Sequence, residues 1–330
     1  MLFRRASKNK IEITLTPEPN EARPRQRELP AELLRKLEFK VLKRLDGFLF
    51  GDYTGFFYGP SLDLAEVREY QPGDEVRRID WNVTARTGKI HIRQYREEKE
   101  VTVWLVVDLS ASMRFGTRRV LKAEEALEFV GTAASIVARH GDKVGVIGFS
   151  EAGMRVVPPG TGRRQALRIL YELYGLLALG QGQAAPSRAP HASLEQALEH
   201  IAKTLKRRAL LFVVSDFLNP QPEQAPLWTQ GLRRLAYRHD VVAVRIFDPA
   251  EKELPRAGEL RMRDPESGEE IWIDTSDPRV RRAHAALVQA REAMLERALR
   301  SAQVDVLNLS TAQEIVEPLL KFTLRRRGRR

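Results

Sequence analysis

Residues Val101 to Phe115 read VTVWLVVDLSASMRF, and the fold turns on how that stretch is read. Seven apolar or Thr residues run without a charge before Asp108. A run that long, rich in Val and Leu and without polar alternation, predicts a strand buried on both faces of a parallel sheet. Asp108 then falls just past the carboxyl end of the strand, with the hydroxyls of Ser110 and Ser112 at alternate positions behind it. In open α/β sheets ligands bind along that edge. One carboxylate and two hydroxyls are hard oxygen donors, which favour Mg²⁺, or a similar cation such as Mn²⁺ or Ca²⁺, over zinc.

Outward from this stretch, strand and helix patterns alternate. Val120, Ala123, Leu127, Val130, Ala134 and Val137 step by three and four, and Gly141 ends the helix they predict. Lys143–Phe149 (KVGVIGF), Ala209–Ser215 (ALLFVVS), Val241–Phe247 (VVAVRIF) and Val304–Leu309 read as further strands. A short edge strand is expected at Met154–Val157, closed by Pro158-Pro159. Helices are expected over Arg163–Leu179, Ser193–Arg207, Trp228–His239, Pro278–Arg300 and Ala312–Phe322, with a hairpin over 258–274 around Asp-Pro-Glu-Ser-Gly. Such alternation predicts an α/β fold with a mostly parallel, doubly wound, Rossmann-like sheet over 99–311. Three of its strands end in an acid, Asp108, Asp216 and Asp248, which a parallel sheet brings to one edge.

The amino-terminal third is of another kind. Residues 1–28 are polar and Pro-containing and read as a flexible basic arm. Residues 29–98 hold an amphipathic helix over Pro30–Leu45, an aromatic and Gly-rich stretch after it, and turns at Pro72-Gly73-Asp74 and Thr87-Gly88-Lys89. They predict a small β-rich lobe. Residues 312–330 read as a carboxyl-terminal helix running into a basic tail.

The formal charge of +11 is mostly terminal: residues 1–28 contribute +3 and residues 321–330 contribute +6. The folded body is thus close to neutral, and nucleic acid is not an expected partner; the tails read as solvated. There is no cysteine, which excludes disulfides, zinc-thiolate sites and thiol catalysis. No apolar run approaches a membrane span and the Arg-rich start lacks a signal-peptide core, so a cytoplasmic location is expected. The six histidines are scattered without ligand spacing, no Gly-x-Ser-x-Gly elbow or P-loop exists, and the expectation is a protein that is not an enzyme.

Asp108-Leu109-Ser110-Ala111-Ser112-Met113 resembles the metal-ion-dependent adhesion site of von Willebrand factor A domains, whose pattern is Asp-x-Ser-x-Ser. Ser215-Asp216-Phe217 falls where those domains carry a second aspartate. Upstream, Arg68-Glu69-Tyr70, Pro72-Gly73-Asp74, Arg77, Ile79-Asp80-Trp81 and Thr84-Ala85-Arg86 are similar to the bacterial domain-of-unknown-function family fifty-eight, often described with MoxR-type AAA+ ATPases. The resemblance implies that Asp108, Ser110 and Ser112 hold the cation directly and that Asp216 holds it directly or through water. It also implies a Thr before a central helix, where Ala192-Ser193-Leu194 stands; Ser193 could replace it only if the loop shifts by one residue. Asp74, Arg77, Asp80, Trp81 and Arg86 are the family-signature residues, and Asp80, Trp81 and Arg86 are expected to form a buried ion pair and an aromatic plug against the sheet.

What the resemblance implies is a metal-dependent protein-binding module, with a partner's acidic side chain completing the ion's shell and a MoxR-type ATPase as the expected partner. Two rivals stay open. One is a metal-dependent phosphoesterase using the same cluster, and the other an RNA- or membrane-surface binder working through the basic tails. Asp108, its serines and Asp216 are also residue types that cap helices, and Asp248, in Asp-Pro, reads as a turn residue.

Overall fold

The computed structural model describes residues 66–71, 74, 76, 79–94, 101–180, 192–218, 226–263 and 270–328. The basic arm, the helix expected over Pro30–Leu45, the aromatic stretch that follows it and Arg77 lie outside the described residues.

β1 (Glu66–Glu69) pairs antiparallel with β2 (His91–Gln94) in a two-stranded sheet. Between them stands a short helix, α1 (Trp81–Thr87), which the turn-rich sequence did not announce. Its cause is Asp80, whose carboxylate accepts from the N–H groups of Asn82 and Val83 at 3.0 and 3.2 Å, satisfying donors that a helix start leaves free. Gly88, in the left-handed region at φ +69°, closes it. Trp81, the first helical residue, points to solvent at 68% exposure, and Arg86 is also exposed, its Nε donating to Asn82 O at 3.4 Å. The aromatic plug expected from Trp81 and Arg86 is therefore corrected: Asp80 is buried as a cap, and the side chains after it turn outward on a helix with no buried residue.

The main body is a six-stranded sheet. β3 (Thr102–Asp108) is followed by a 3₁₀ turn at Ala111–Arg114 and by α2 (Lys122–Arg139). β4 (Lys143–Ser150), β5 (Gly153–Gly160), α3 (Gly162–Gly180), α4 (Leu194–Thr204) and β6 (Leu210–Ser215) come next. After them run α5 (Trp228–Arg238), β7 (Asp240–Phe247), the hairpin β8 (Glu259–Arg263) with β9 (Glu270–Asp274), α6 (Pro278–Ser301), β10 (Asp305–Ser310) and α7 (Val316–Gly328).

The strand order is β10-β7-β6-β3-β4-β5, parallel except for β5, which runs antiparallel to β4. This is the mostly parallel, doubly wound α/β architecture that the alternation of strands and helices predicts. β5 runs through Pro158 and Pro159 instead of stopping before them; an edge strand tolerates proline because its missing N–H faces no partner strand. Gln165 Nε2 secures the irregular pairing there, donating to Val144 O at 2.9 Å and Pro158 O at 2.8 Å.

The continuous apolar runs are explained by a core on each face. Val103, Leu105 and Val107 of β3, with Leu210, Phe212 and Val214 of β6, pack beneath α2, α3 and α7. Trp104 and Val106, with Leu211 and Val213, pack on the other face under α4, α5 and the end of α6. Burying each such Val or Leu stabilises by roughly 1.5–3 kcal/mol, so neither face of these strands tolerates a charge.

β3 lies between β4 and β6: the chain leaves β3 toward one edge, then returns to start β6 on its other side. The carboxyl ends of β3 and β6 therefore form the switch point of the winding, the crevice where open α/β sheets take ligands. Among the described residues no helix is long and apolar enough to cross a membrane.

The basic tail is corrected in part. α7 continues to Gly328, and Arg326, only 5% exposed, pairs with Asp240 and, at 3.0 Å, with Asp305. Arg325 donates to Val306 O at 3.0 Å. Arg326 thus lies against acids at the amino ends of β7 and β10, which the local charge count could not foresee.

Candidate metal centre at the β3–β6 switch point

Asp108 and Asp216, 108 positions apart in the chain, meet at the crevice through a crossed pair of hydroxyls. Ser112, from the loop after β3, donates to Asp216 Oδ2 at 2.8 Å. Ser215, the last residue of β6, donates to Asp108 Oδ2 at 2.7 Å. Ser110 N–H donates to Asp108 Oδ1 at 2.9 Å, an Asx turn that folds the loop back over the strand end. The Ser110 and Ser112 hydroxyl oxygens lie 3.3 Å apart.

The capping alternative for the serines does not describe this loop. Ser110 stands at the start of the 3₁₀ turn but makes no side-chain cap bond, and Ser112 faces Asp216. Nor does Asp216 cap a helix: α5 begins only at Trp228, and Asp216 Oδ1 accepts from Leu218 N–H at 3.1 Å. The turn after Asp216 is strained. Phe217 sits at φ +54°, a region costly to a side-chain-bearing residue and seen at functional sites. It is held by its N–H bond to Ser215 Oγ (3.0 Å) and by edge-on packing against Trp228, with ring centroids 5.2 Å apart. That turn aims Asp216 inward.

A third charge enters from α2. Lys122, 1% exposed, places its ammonium 2.7 Å from Asp216 Oδ2 and 2.6 Å from Glu251 Oε1. Gly116 makes the approach possible: a Cβ there would lie 2.5 Å from Val120 O, blocking the tight loop in which Lys122 N–H reaches Phe115 O. Burial alone would lower the Lys122 pKa, but the Asp216 and Glu251 carboxylates outweigh it and hold the ammonium well above its usual range. Burial likewise pushes Asp216 up, and the Lys122 charge, with hydrogen bonds from Lys122, Ser112 and Leu218 N–H, more than reverses that and holds it below the usual carboxylate value.

Asp108 differs. Burial, and then the Asp216 charge, push its pKa up to about 6, and the bonds from Ser110 and Ser215 offset only part of this. A buried carboxylate short of positive charge is a place where a cation gains most.

The donor chemistry fits a hard cation. A carboxylate has about four lone-pair sites, and the bonds from Ser110 and Ser215 do not fill them all on Asp108. Because the Ser112 hydroxyl spends its proton on Asp216, its lone pairs face away from that acid. Among the described residues no group of three or more His, Cys, Asp or Glu gathers as a metal cluster, so an ion here would rest on hydroxyls and at most two carboxylates.

The remaining expected residues lie elsewhere. Ser193 caps α4: its hydroxyl accepts from Gln196 N–H at 3.3 Å and its own N–H donates to Gln196 Oε1 at 3.2 Å. Ala192 packs against the second core. Asp74 closes a turn, accepting from Gln71 N–H at 2.8 Å. Asp248 is a structural clasp, as its Asp-Pro setting indicated. It accepts from Thr117 N–H and Oγ1 (both 2.7 Å), Ala250 N–H (2.8 Å) and Thr311 Oγ1 (2.6 Å).

Sequence reasoning passed over Lys122, Glu251 and the role of Ser215. For Lys122 a signal existed, because a cation in the first turn of a helix opposes the helix dipole and needs a local reason. For Glu251 none did.

The family model described as "Protein of unknown function DUF58" matches residues 66–294. "Uncharacterized protein Rv1480" of Mycobacterium tuberculosis is 35% identical over 302 residues, covering 90% of this chain and 90% of its own length. "Uncharacterized protein Mb1516" of Mycobacterium bovis gives the same figures, 35% over 302 residues. Among solved structures, BatB from Bacteroides thetaiotaomicron is similar over 69% of this chain and 99% of its own, at 14% identity and a TM-score of 0.44. The SpRpn10 VWA domain is similar over 67% of this chain and 94% of its own, at 12% identity and a TM-score of 0.34. With the matched segment spanning both the small lobe and most of the main sheet, and with relatives alike over nearly their whole length, the chain belongs to the DUF58 family.

Proposed function

We propose that the chain is a metal-dependent protein-binding module, an accessory or assembly factor for a MoxR-type AAA+ ATPase, and not itself an enzyme. The observation that carries this is Asp108: a buried carboxylate with open lone pairs and, among the described residues, no cation of its own, beside two hydroxyls at the sheet's switch point. A divalent ion there supplies the missing charge and a coordination position for an acidic side chain of the partner. Mg²⁺ suits the oxygen donors.

This chain's residues do the positioning. Asp216 accepts the hydrogen bond of the Ser112 hydroxyl and so orients that oxygen. Ser215 and the Ser110 N–H hold the Asp108 carboxylate in one orientation, and the strained turn at Phe217 keeps Asp216 aimed inward. Specificity for a protein acid follows from a donor set of neutral hydroxyls and few charged ligands, since an ion left under-neutralised attracts an outside carboxylate.

The test is capture of a purified MoxR-type ATPase from the same organism by the immobilised chain. Capture is expected in Mg²⁺ and lost with EDTA or with Asp108→Ala, the variant keeping its circular dichroism spectrum. Capture that survives both would end the reading.

A further inference from the structure

Lys122 lies where two rules disfavour it. Its position in the first turn of α2 sets a cation against the positive end of the helix dipole, and its side chain is sealed from water. A buried ammonium persists only where well-placed carboxylates repay its desolvation. Two do so here: Asp216 from the end of β6 at 2.7 Å, and Glu251 from the turn after β7 at 2.6 Å. Asp108, by contrast, is held by neutral donors of Ser110 and Ser215. Of three acids around the crevice, two share one resident positive charge.

We propose that Lys122 is the resident cation of this site: it keeps the strand-end cluster assembled without a divalent ion, takes Asp216 out of the metal's direct ligands, and leaves Asp108, Ser110 and Ser112 to bind one. The inference rests on the metal-binding part of the reading above and deepens it. The site is then a single-carboxylate one, selective for hard ions and quick to release them. Lys122 acts through Asp216 and the local field, so it is a positioning and affinity-setting residue.

The experiment uses the full chain with Mn²⁺ as probe, its binding followed by electron paramagnetic resonance, and melting temperatures in EDTA and in Mg²⁺. Wild type is expected to melt cooperatively in EDTA. Asp108→Asn abolishes Mn²⁺ binding, whereas Asp216→Asn weakens it by less than about tenfold. Lys122→Met tightens Mn²⁺ by about tenfold or more and makes the melting temperature depend on metal, because an uncompensated acid then needs the ion.

Should Asp216→Asn, folded, lose Mn²⁺ as completely as Asp108→Asn, Asp216 is a ligand and the inference is overturned. A folded Lys122→Met that binds no more tightly than wild type overturns it as well, as does absence of Mn²⁺ binding from wild type and Lys122→Met alike. If Lys122→Met does not fold, the Asp216→Asn and Asp108→Asn pair decides. Partner capture that ignores EDTA would end the docking reading alone, since none of these measurements involves a partner.

Discussion

Asp108 and Asp248 end strands of one sheet, on one edge, and are both almost fully buried, yet they have opposite characters. Asp248 is wrapped by four bonds from Thr117, Ala250 and Thr311. Burial would raise its pKa, but those bonds hold it below the usual carboxylate value. Asp108 is held only by neutral groups of Ser110 and Ser215, lies near a second acid and has its pKa pushed up to about 6. The lesson is that an acid at the carboxyl edge is a candidate site only when the fold has left its charge unanswered. Asp248 is spent on structure, whereas Asp108 is held in reserve.

The comparison breaks most visibly at Asp248. Asp248→Ala strips four bonds and leaves the buried Thr311 hydroxyl and the half-buried Thr117 hydroxyl without their acceptor, a loss of about 3–4 kcal/mol by urea unfolding. Mn²⁺ affinity of whatever remains folded is expected to be that of wild type. A large change in affinity would make the clasp part of the site.

At the opposite edge of the sheet, Arg326 joins Asp240 and Asp305. Arg326→Ala is expected to cost about 2 kcal/mol, since both acids keep some water contact. Truncating 325–330 should cost at least as much. Truncation without effect on unfolding would return these residues to the status of a solvated tail.

Asp108 sharpens the contrast through pH. Its folded value, about 6, lies above the ordinary ~3.9 of an unfolded Asp, so the folded chain binds the extra proton between those limits. The contribution of Asp108 to stability in EDTA is therefore full below about pH 4 and is lost as pH rises through about 6. Asp108→Asn removes that slope and is about 1–3 kcal/mol more stable than wild type at pH 7. Asp248, with its lowered value, has the opposite sign: its stabilisation is present above the unfolded value and is lost as pH falls. A wild-type profile flat between pH 4 and 7, unchanged in Asp108→Asn, would mean that Asp108 is not short of charge.

The smallest effect belongs to Ser193. As a cap, Ser193→Ala costs α4 about 1 kcal/mol and leaves Mn²⁺ affinity alone. A selective loss of affinity would show that the loop shifts and brings Ser193 to the ion.

Local reading reached far into the main body because its signals are local. Strands buried on both faces must be continuous apolar runs, and the runs ending at Val107, Ser215 and Phe247 could be seen without knowing their neighbours. The acids that follow them were therefore legible as candidates. The short helix after Asp80 was hidden by its length and by turn residues on either side, and the anchoring of Arg326 was hidden because its acids start other strands.

By itself the sequence determined the alternation of strands and helices, hence a parallel sheet, and the placing of Asp108, Ser110, Ser112 and Asp216 at strand ends. Tertiary structure alone decided which of those acids is satisfied. Thr117 and Thr311 reach Asp248 from 131 and 63 residues away, and Lys122 reaches Asp216 and Glu251 across 94 and 129. Side-chain periodicity reports which face a residue occupies, whereas charge balance depends on which strand ends become neighbours, and only the closed winding of the sheet sets that.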